Sequence, residues 1–245
     1  MKIIIFTSDS RAISSGLRTL VEGRKSDVIA IVLVSQLKGD IIKKLKSFLK
    51  YLKKTGVLFI FYKLYDGILC NDAAKIAETN NIPLMHTNDV NSPEFIKKLR
   101  NMNPDINLSF FTQQIFKKEI IAIPKRGTLN MHGSLLPHYK GAAQYFWYLH
   151  NNDKEGGVTV HYMDENLDTG DIVVQEKFSI SDNDTMSSVH KKIAETGAKA
   201  AIKSLNLIES KKAKRIPQKK EKSEYLRLPT GREIKEFRKR GLRMF

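Results

Sequence analysis

Residues 128–171 read TLNMHGSLLPHYKGAAQYFWYLHNNDKEGGVTVHYMDENLDTGD, and this stretch holds the most informative polar pattern of the chain. Asn130 and His132 are two residues apart, so on a strand their side chains point to the same side. Asp168 follows in a Leu-Asp-Thr-Gly-Asp turn. An amide, an imidazole and a carboxylate can stabilise an oxyanion, transfer a proton and orient the base that transfers it. We therefore interpret Asn130, His132 and Asp168 as candidate catalytic residues.

The segments before this stretch alternate between short apolar runs and helical patterns. The apolar runs predict buried strands at 2–7, 27–34, 82–87 and 106–111. A helical pattern follows the first run, and segments 71–81 and 93–102 also have helical character. Strand-and-helix units in a row predict an α/β fold with a Rossmann-like, mostly parallel sheet that is flanked by helices.

In sheets of this kind, ligands bind at the carboxyl ends of the strands. Strand 106–111 is followed by polar residues from Gln113 onward, and the next strand, 127–131, leads into the Asn130 and His132 pair. Neighbouring strand ends are therefore expected to bring these polar side chains together at one edge of the sheet.

Three further elements are predicted after the Asn-His pair. The first is a helix that contains Trp147, and the second is a β-hairpin with strands 157–163 and 171–178. Asp168 lies on the connection of this hairpin, which we expect to close the sheet. A long helix over 184–209 completes the pattern.

Composition limits the class of protein. With 245 residues, 41% of them hydrophobic, the chain can bury a sizeable core. The single cysteine, Cys70, excludes an internal disulfide and a cysteine-based zinc site, and it fits a reducing, cytoplasmic location. The chain has no apolar run of about 18 residues and no signal-peptide pattern, so we expect no transmembrane segment. No His, Asp or Glu cluster has the spacing of metal ligands, so we predict no metal.

The other polar residues are expected to have structural roles, such as capping a helix or packing. Ser8 and Ser10 follow the first strand and are expected to cap the first helix, although such a turn could also hold a phosphate. The turn lacks the G-x-G-x-x-G pattern, so a dinucleotide site is not supported. The remaining histidines are assigned to packing or local hydrogen bonding; they are His86, His138, His150, His161 and His190.

Segment 38–69 combines a lysine-rich amphipathic half with an aromatic half. Two interpretations remain open. The segment is either a helical insertion packed on the domain, or a surface that rests on a membrane or contacts another copy of the chain.

The net charge of +16 is concentrated near the C-terminus. Residues 211–245 hold 14 Lys and Arg but 4 Asp and Glu, a net charge of +10. We treat 210–245 as a basic extension with two open interpretations. It is an arm for RNA, anionic membrane or a phosphate-bearing substrate, or it is a solvated tail.

An ordered set of short motifs carries a family resemblance. The motifs are Asn130-x-His132-x-Ser134-Leu135-Leu136-Pro137, Gly141-Ala142-Ala143, Gly157-Val158-Thr159 and Leu167-Asp168-Thr169-Gly170-Asp171. This set resembles the formyltransferase family that uses 10-formyltetrahydrofolate. The family includes methionyl-tRNA formyltransferase, glycinamide ribonucleotide transformylase and the sugar N-formyltransferases. The resemblance covers residues 1–209, which we take as the catalytic domain.

The resemblance implies transfer of a formyl group from a folate nitrogen to a substrate amine. It assigns Asn130 to the oxyanion and His132 to proton transfer or oxyanion stabilisation. It assigns Asp168 to orientation of His132 and to proton relay through water. It also implies two folate-binding segments, whose residues are Gln113, Gln114, Ile115 and Phe116 in one, and Asp164, Glu165 and Asn166 in the other.

The amine acceptor is less clearly implied. Gln144 stands where the tRNA enzyme usually has proline, and Pro217-Gln218 with Tyr225 resembles the linker of the tRNA and sugar enzymes. The residues after 209 are too few for the β-rich domain with which the tRNA enzyme grips tRNA. Because positive charge suits a pyrophosphate, we expect the amine of a small, nucleotide-linked amino sugar.

Two alternatives stay open at this point. The chain is a methionyl-tRNA formyltransferase that binds tRNA through its basic extension, or it is a non-catalytic folate-fold scaffold that binds a membrane or partner through 38–69. Segment 38–69 and the hairpin are also candidate contacts of a homodimer.

Overall fold

A sheet of seven strands forms the centre of the part that the computed structural model describes, residues 1–35, 49, 52–67, 70–218 and 225–245. In chain order the strands are β1 (Ile3–Thr7), β2 (Val28–Val34), β3 (Leu84–Thr87), β4 (Ile106–Phe110), β5 (Thr128–His132), β6 (Lys140–Gly141), β7 (Glu155–Tyr162), β8 (Ile172–Ser179) and β9 (Tyr225–Leu226). The sheet order is β3-β2-β1-β4-β5-β7-β8, and β6 pairs with β9 in a separate ribbon. The strands from β1 to β5 are parallel, whereas β7 runs antiparallel to β5 and β8. The predicted α/β class is confirmed.

Helices flank this sheet. In chain order they are α1 (Arg11–Gly23), α2 (Val57–Gly67), α3 (Asp72–Thr79), α4 (Pro93–Met102), α5 (Lys118–Ile121), α6 (Gln144–His150), α7 (Met186–Glu209) and α8 (Gly231–Lys239). Two of the predicted helix starts follow from local capping. The Ser92 side chain accepts from the Phe95 N–H at the start of α4, and Thr185 forms a capping box with Ser188 at the start of α7.

Strand β1 shows why its sequence is apolar throughout. Ile3 and Ile5 belong to the core on one face of the sheet, whereas Ile4 and Phe6 belong to the core on the other face. A strand covered on both faces has no polar side, which produces a continuous apolar run.

Helices α1 and α7 pack tightly together on the first face of the sheet. A Cβ atom added at Gly16 would lie 2.4 Å from the backbone oxygen of Ala194. The two helix backbones therefore meet at a point where a side chain on Gly16 would not fit.

The start of α1 differs from the prediction that Ser8 or Ser10 caps it. The Ser8 hydroxyl donates to the Phe111 carbonyl at 2.8 Å, and the Ser10 hydroxyl donates to Asp66 at 2.6 Å. Asp66, from α2, accepts the Ala12 N–H at 3.0 Å. The cap is thus a carboxylate more than fifty residues away, a contact that local sequence cannot reveal. It occupies the helix N-terminus where a phosphate could otherwise bind.

Helix α2 is the described part of the aromatic half of segment 38–69; residues 36–48, 50, 51, 68 and 69 lie outside the description. Phe59 and Tyr62 are fully buried, so α2 packs on the domain as the first interpretation predicts. Phe61 and Tyr65 on its outer side remain exposed.

The C-terminal extension also enters the core. Ile234 and Phe237 on α8 are 1% and 0% exposed, and the Phe237 ring stacks on Phe146 at a centroid distance of 5.1 Å. The interpretation as a solvated tail is therefore wrong for α8. The error arose because the charges on the outer side of this helix conceal two apolar residues three positions apart.

Replacement of Phe237 tests this integration. Because Phe237→Ala leaves a cavity in a closely packed site, we expect the free energy of unfolding to fall by about 3–5 kcal/mol in urea denaturation. Lys239→Ala, at an exposed position on the same helix, serves as the control. Equal stability of the two variants would contradict the burial of α8.

Candidate active site

Three parts of the chain meet at the carboxyl edge of the sheet. The residues after β4, the end of β5 and the β7–β8 connection border a cavity of about 530 Å³. Asn130, His132 and Asp168 all line this cavity. The structure therefore brings the three predicted catalytic residues together.

The carboxylate of Asp168 is the centre of the polar cluster. Its side chain is 7% exposed, and its Oδ2 accepts the Gly141 N–H at 3.1 Å. Its Oδ1 lies 3.5 Å from both Asn130 Nδ2 and His132 Nδ1. The backbone of Asp168 has a φ of +54°, a conformation that residues other than glycine adopt infrequently.

The Asp168 turn is closely packed against β7. A Cβ atom at Gly170 would lie 1.9 Å from the backbone oxygen of Tyr162. The glycine in the Leu-Asp-Thr-Gly-Asp motif is therefore needed for the turn to reach β7.

His132 is held by groups on both sides of its ring. Its Nε2 lies 3.0 Å from the Tyr139 carbonyl oxygen, to which it donates when it carries the proton; when Nδ1 carries the proton instead, Nδ1 faces Asp168 and Nε2 is able to accept. The Gln144 amide nitrogen lies 3.3 Å from the same Nε2 and donates to the Gly141 carbonyl at 2.7 Å. Gln144 thus stands beside the imidazole, at the position where the motif departs from the tRNA enzyme.

His161 is a further member of the cluster, although its sequence suggested only local hydrogen bonding. Its Nδ1 donates to the Tyr162 carbonyl at 2.8 Å, which leaves Nε2 free to accept from Asn130 Nδ2 at 3.2 Å. Burial lowers the pKa of His161 to about 4, so the ring is neutral near pH 7. A neutral His161 therefore orients the Asn130 amide.

The register between β5 and β7 identifies His161 as a neighbour of Asn130. Strand β7 runs antiparallel to β5, and His161 is the direct partner of Asn130 in the ladder. Directly opposed residues project to the same face of a sheet. Once the hairpin is paired with β5, the position of His161 follows, but the sequence does not say which strand the hairpin joins.

The first predicted folate-binding segment follows β4. Gln113, Gln114, Ile115 and Phe116 all line the cavity. The Gln114 side chain is buried, accepts the Val90 N–H at 3.1 Å and donates to the carbonyls of Ser35 and Asn88. These contacts fix the loop from behind, so the Gln114 side chain supports the segment.

The second predicted segment borders the opposite side. Asp164, Glu165 and Asn166 also line the cavity. Asp164 accepts the Asn166 N–H at 3.0 Å and the Thr169 hydroxyl at 2.7 Å, which stabilises the loop before Asp168. Glu165 is exposed and forms an ion pair with Lys118 at 3.0 Å.

Aromatic and basic residues border another part of the cavity wall. The buried His190 ring stacks on Tyr145 at a centroid distance of 4.4 Å, and its Nδ1 lies 3.4 Å from the Tyr62 hydroxyl. Burial lowers the pKa of His190 to about 3. Lys63 of α2 lines the cavity too, with its Nζ 5.9 Å from the Tyr145 ring centre.

The described parts of the chain lack two features, a metal-binding cluster and a membrane-spanning helix. Among those residues, no group of three or more His, Cys, Asp or Glu side chains could hold a metal ion. No helix within the same ranges is long and apolar enough to span a membrane.

An α/β sheet with an amide, an imidazole and a carboxylate at its carboxyl edge is typical of enzymes that bind small molecules in this position. The family model described as formyl transferase matches residues 1–205. The chain therefore belongs to the formyl transferase family, and the resemblance predicted from its motifs is confirmed.

Among curated proteins, the chain is similar to methionyl-tRNA formyltransferases. Methionyl-tRNA formyltransferase of Clostridioides difficile (strain 630) is 40% identical over 151 residues, which make up 62% of this chain and 49% of that protein. The chain thus spans about half the length of the curated relatives it matches.

Solved structures show the same fold at low sequence identity. WlaRD, a sugar 3N-formyl transferase solved with dTDP and 5-N-formyl-THF, is 23% identical with a TM-score of 0.61, covering 92% of this chain and 69% of that one. Phosphoribosylglycinamide formyltransferase from Anaplasma phagocytophilum is 19% identical with a TM-score of 0.66, covering 91% of this chain and 96% of that one.

Two buried histidines of the cavity, His161 and His190, make stability dependent on pH. In the unfolded chain their pKa is about 6.5, above the folded values of about 4 for His161 and about 3 for His190. The folded protein thus binds fewer protons than the unfolded chain below about pH 6.5. We expect these two groups to contribute their full stabilisation above that pH, and the free energy of unfolding to fall as the pH drops from about 6.5 toward about 3.

Denaturation at a series of pH values measures this slope. His190→Gln should make the loss shallower, because one of the two titrating groups is removed. His86→Gln, at an exposed histidine on β3, should keep the original slope. An unchanged slope in the His190 variant would show that its ring is not buried in the neutral form.

Proposed function

We propose that this protein is an N-formyltransferase that moves a formyl group from 10-formyltetrahydrofolate to a primary amine. The observation that carries the proposal is the convergence of Asn130, His132 and Asp168 in one cavity of a formyl transferase family member. The cavity volume of about 530 Å³ lies in the usual range for small-molecule sites, about 300–1,000 Å³.

The polar cluster has the groups that formyl transfer needs. When bound, 10-formyltetrahydrofolate would supply the formyl group. As the acceptor amine attacks the formyl carbon, the formyl oxygen gains negative charge and the amine nitrogen gains positive charge. The Asn130 amide, held by His161 through one N–H, would donate its other N–H to that oxygen in place of Asp168. His132 takes the amine proton or stabilises the oxygen, and Asp168 orients His132. The bond between the formyl carbon and the folate nitrogen then breaks, that nitrogen receives the proton given up by the amine, and tetrahydrofolate leaves.

The two loops beside the cluster are suited to the donor. The segment from Gln113 to Phe116 is braced by the internal hydrogen bonds of Gln114, and the segment from Asp164 to Asn166 is stabilised by Thr169. Both segments would hold the donor largely through their backbone, with the formyl group directed at Asn130 and His132.

For the acceptor, we favour the amine of a nucleotide-linked amino sugar. Lys63, with Ser8 and Tyr145, borders the cavity and provides a cation for a pyrophosphate and a ring for stacking. The net charge of +16 would attract such an anionic substrate.

The amine of an aminoacyl-tRNA is the second candidate. It is supported by the 40% identity to a methionyl-tRNA formyltransferase and by the net charge of +10 in residues 211–245. This candidate requires tRNA binding that weakens strongly with salt.

Variants of the cluster test the proposed chemistry. His132→Ala and Asp168→Ala should each lower the rate of formyl transfer at least about 10²-fold, and Asn130→Ala should lower it by about 10²–10³-fold. His138→Ala, at an exposed histidine nearby, is the matched control. Circular dichroism verifies that each variant is folded. Near-normal turnover of a folded His132 or Asp168 variant would refute the assignment.

A panel of acceptors tests the substrate class. With 10-formyltetrahydrofolate as donor, we expect formyl transfer to a dTDP-linked amino sugar and none to methionyl-tRNA. The opposite result, together with salt-sensitive tRNA binding, would favour the second candidate. Formyl transfer to neither class of amine would contradict the proposal as a whole.

A further inference from the structure

The turn that carries Asp168 is held from outside by two side chains near the C-terminus. Gln218 Nε2 donates to the carbonyl oxygens of Asp168 at 3.1 Å and Gly170 at 2.9 Å. The Tyr225 hydroxyl donates to the carbonyl oxygen of Leu167. Both side chains lie beyond residue 205, where the match to the family model ends.

The backbone around these side chains is attached beside the turn. Ile216 and Ile172 exchange two backbone hydrogen bonds of 2.8 and 3.0 Å. The Leu226 carbonyl accepts the Ala142 N–H at 2.9 Å. We refer to four residues as the C-terminal clamp: Ile216, Gln218, Tyr225 and Leu226.

The clamp also reaches the Asp168 carboxylate through β6. The Gly141 N–H donates to Asp168 Oδ2 at 3.1 Å. A Cβ atom at Gly141 would lie 2.2 Å from the Leu226 carbonyl oxygen, and Gly141 has a φ of +100°. Strand β6 binds the carboxylate through Gly141. It lies so close to Leu226 of the clamp that position 141 requires glycine.

The turn has physical reasons to need this support. Asp168 has a positive φ, and its buried carboxylate must keep its hydrogen-bond partners. The Gln218 Oε1 atom is buried and has no partner among the described residues. Gln218 thus contacts the turn through its amide N–H groups.

We propose that Gln218 and Tyr225 are positioning residues for formyl transfer, which hold the Asp168 turn so that its carboxylate meets His132 and Asn130. This proposal rests on the proposed function. It gives the basic extension a role in the active site that is independent of its charge.

Two substitutions remove the donor groups with little change of shape. Gln218→Glu places a carboxylate oxygen against two carbonyl oxygens, and Tyr225→Phe removes a single hydroxyl group. Lys214→Met is the control, because Lys214 is an exposed residue of the same extension. Activity is measured with 10-formyltetrahydrofolate and, in separate arms, a dTDP-linked amino sugar or methionyl-tRNA.

We expect kcat to fall roughly 10- to 100-fold in both variants, because a small displacement of a catalytic group has effects of this size. KM for 10-formyltetrahydrofolate should change less than kcat, since neither substitution removes a hydrogen bond made by residues 113–116 or 164–166. The control should retain its activity. A general structural defect would instead affect kcat, KM and stability together.

A double-mutant cycle tests whether the clamp acts through Asp168. In an Asp168→Ala background, Gln218→Glu should cause no further loss of kcat, because the group it positions is absent. Losses that multiply would overturn the proposal. If Asp168→Ala leaves the activity normal, the proposed function fails instead, and the two failures are distinguishable.

Hydrogen exchange provides a readout that does not depend on turnover. We expect Gln218→Glu and Tyr225→Phe to accelerate amide exchange in peptides covering 140–142 and 163–172, with the rest of the described chain unchanged. Exchange identical to that of the unmodified protein and of the Lys214→Met control would reject the proposal even if neither acceptor is formylated.

Discussion

The site depends on the hydrogen bonds that the buried carboxylate of Asp168 accepts. A carboxylate with 7% exposure is stable only when hydrogen-bond donors or positive charge surround it. Here the donors come from separate parts of the fold, namely Gly141 on β6, Asn130 on β5 and His132 at the end of β5. The burial of a single charged group thus requires the sheet, the ribbon and the hairpin connection to take fixed relative positions. The cavity exists where these elements meet.

The reversal of strand direction after β5 gives the cluster its composition. Strand β7 lies antiparallel beside β5, and its connection to β8 starts next to Thr128 and folds back, so that Asp168 lies 3.5 Å from His132. His161 consequently faces Asn130, and Asp168 faces His132. The basic extension adds a second layer, since α8 is anchored in the core by Phe237 and the residues before it contact the Asp168 turn. Positive charge is concentrated in residues 211–245, yet Gln218 and α8 of this extension are part of the folded domain.

Much of this architecture was predictable from local patterns. Buried runs such as 106–111 and the Ser92 cap of α4 depend on residues close in sequence, and β4 and α4 appear where they were predicted. Asn130, His132 and Asp168 were recognisable because their spacing and motif are specific. The capping of α1 by Asp66 and the role of His161 were not predictable in the same way. Both arise from pairings between distant elements, whose register the sequence does not state.

The amino-acid sequence by itself determined the alternation of strands and helices, the family, and the three polar residues that converge at the cavity. Periodicity and short motifs express these properties directly, because they depend on neighbouring residues along the chain. The tertiary structure alone decided which groups complete the cluster and what supports it. Gln144 on α6 lies beside His132, His161 on β7 holds Asn130, and Gln218 near the C-terminus donates to the Asp168 carbonyl. These contacts exist only after distant parts of the chain have packed. Burial then makes each of these bonds necessary, because an unpaired polar group in the same place would be costly.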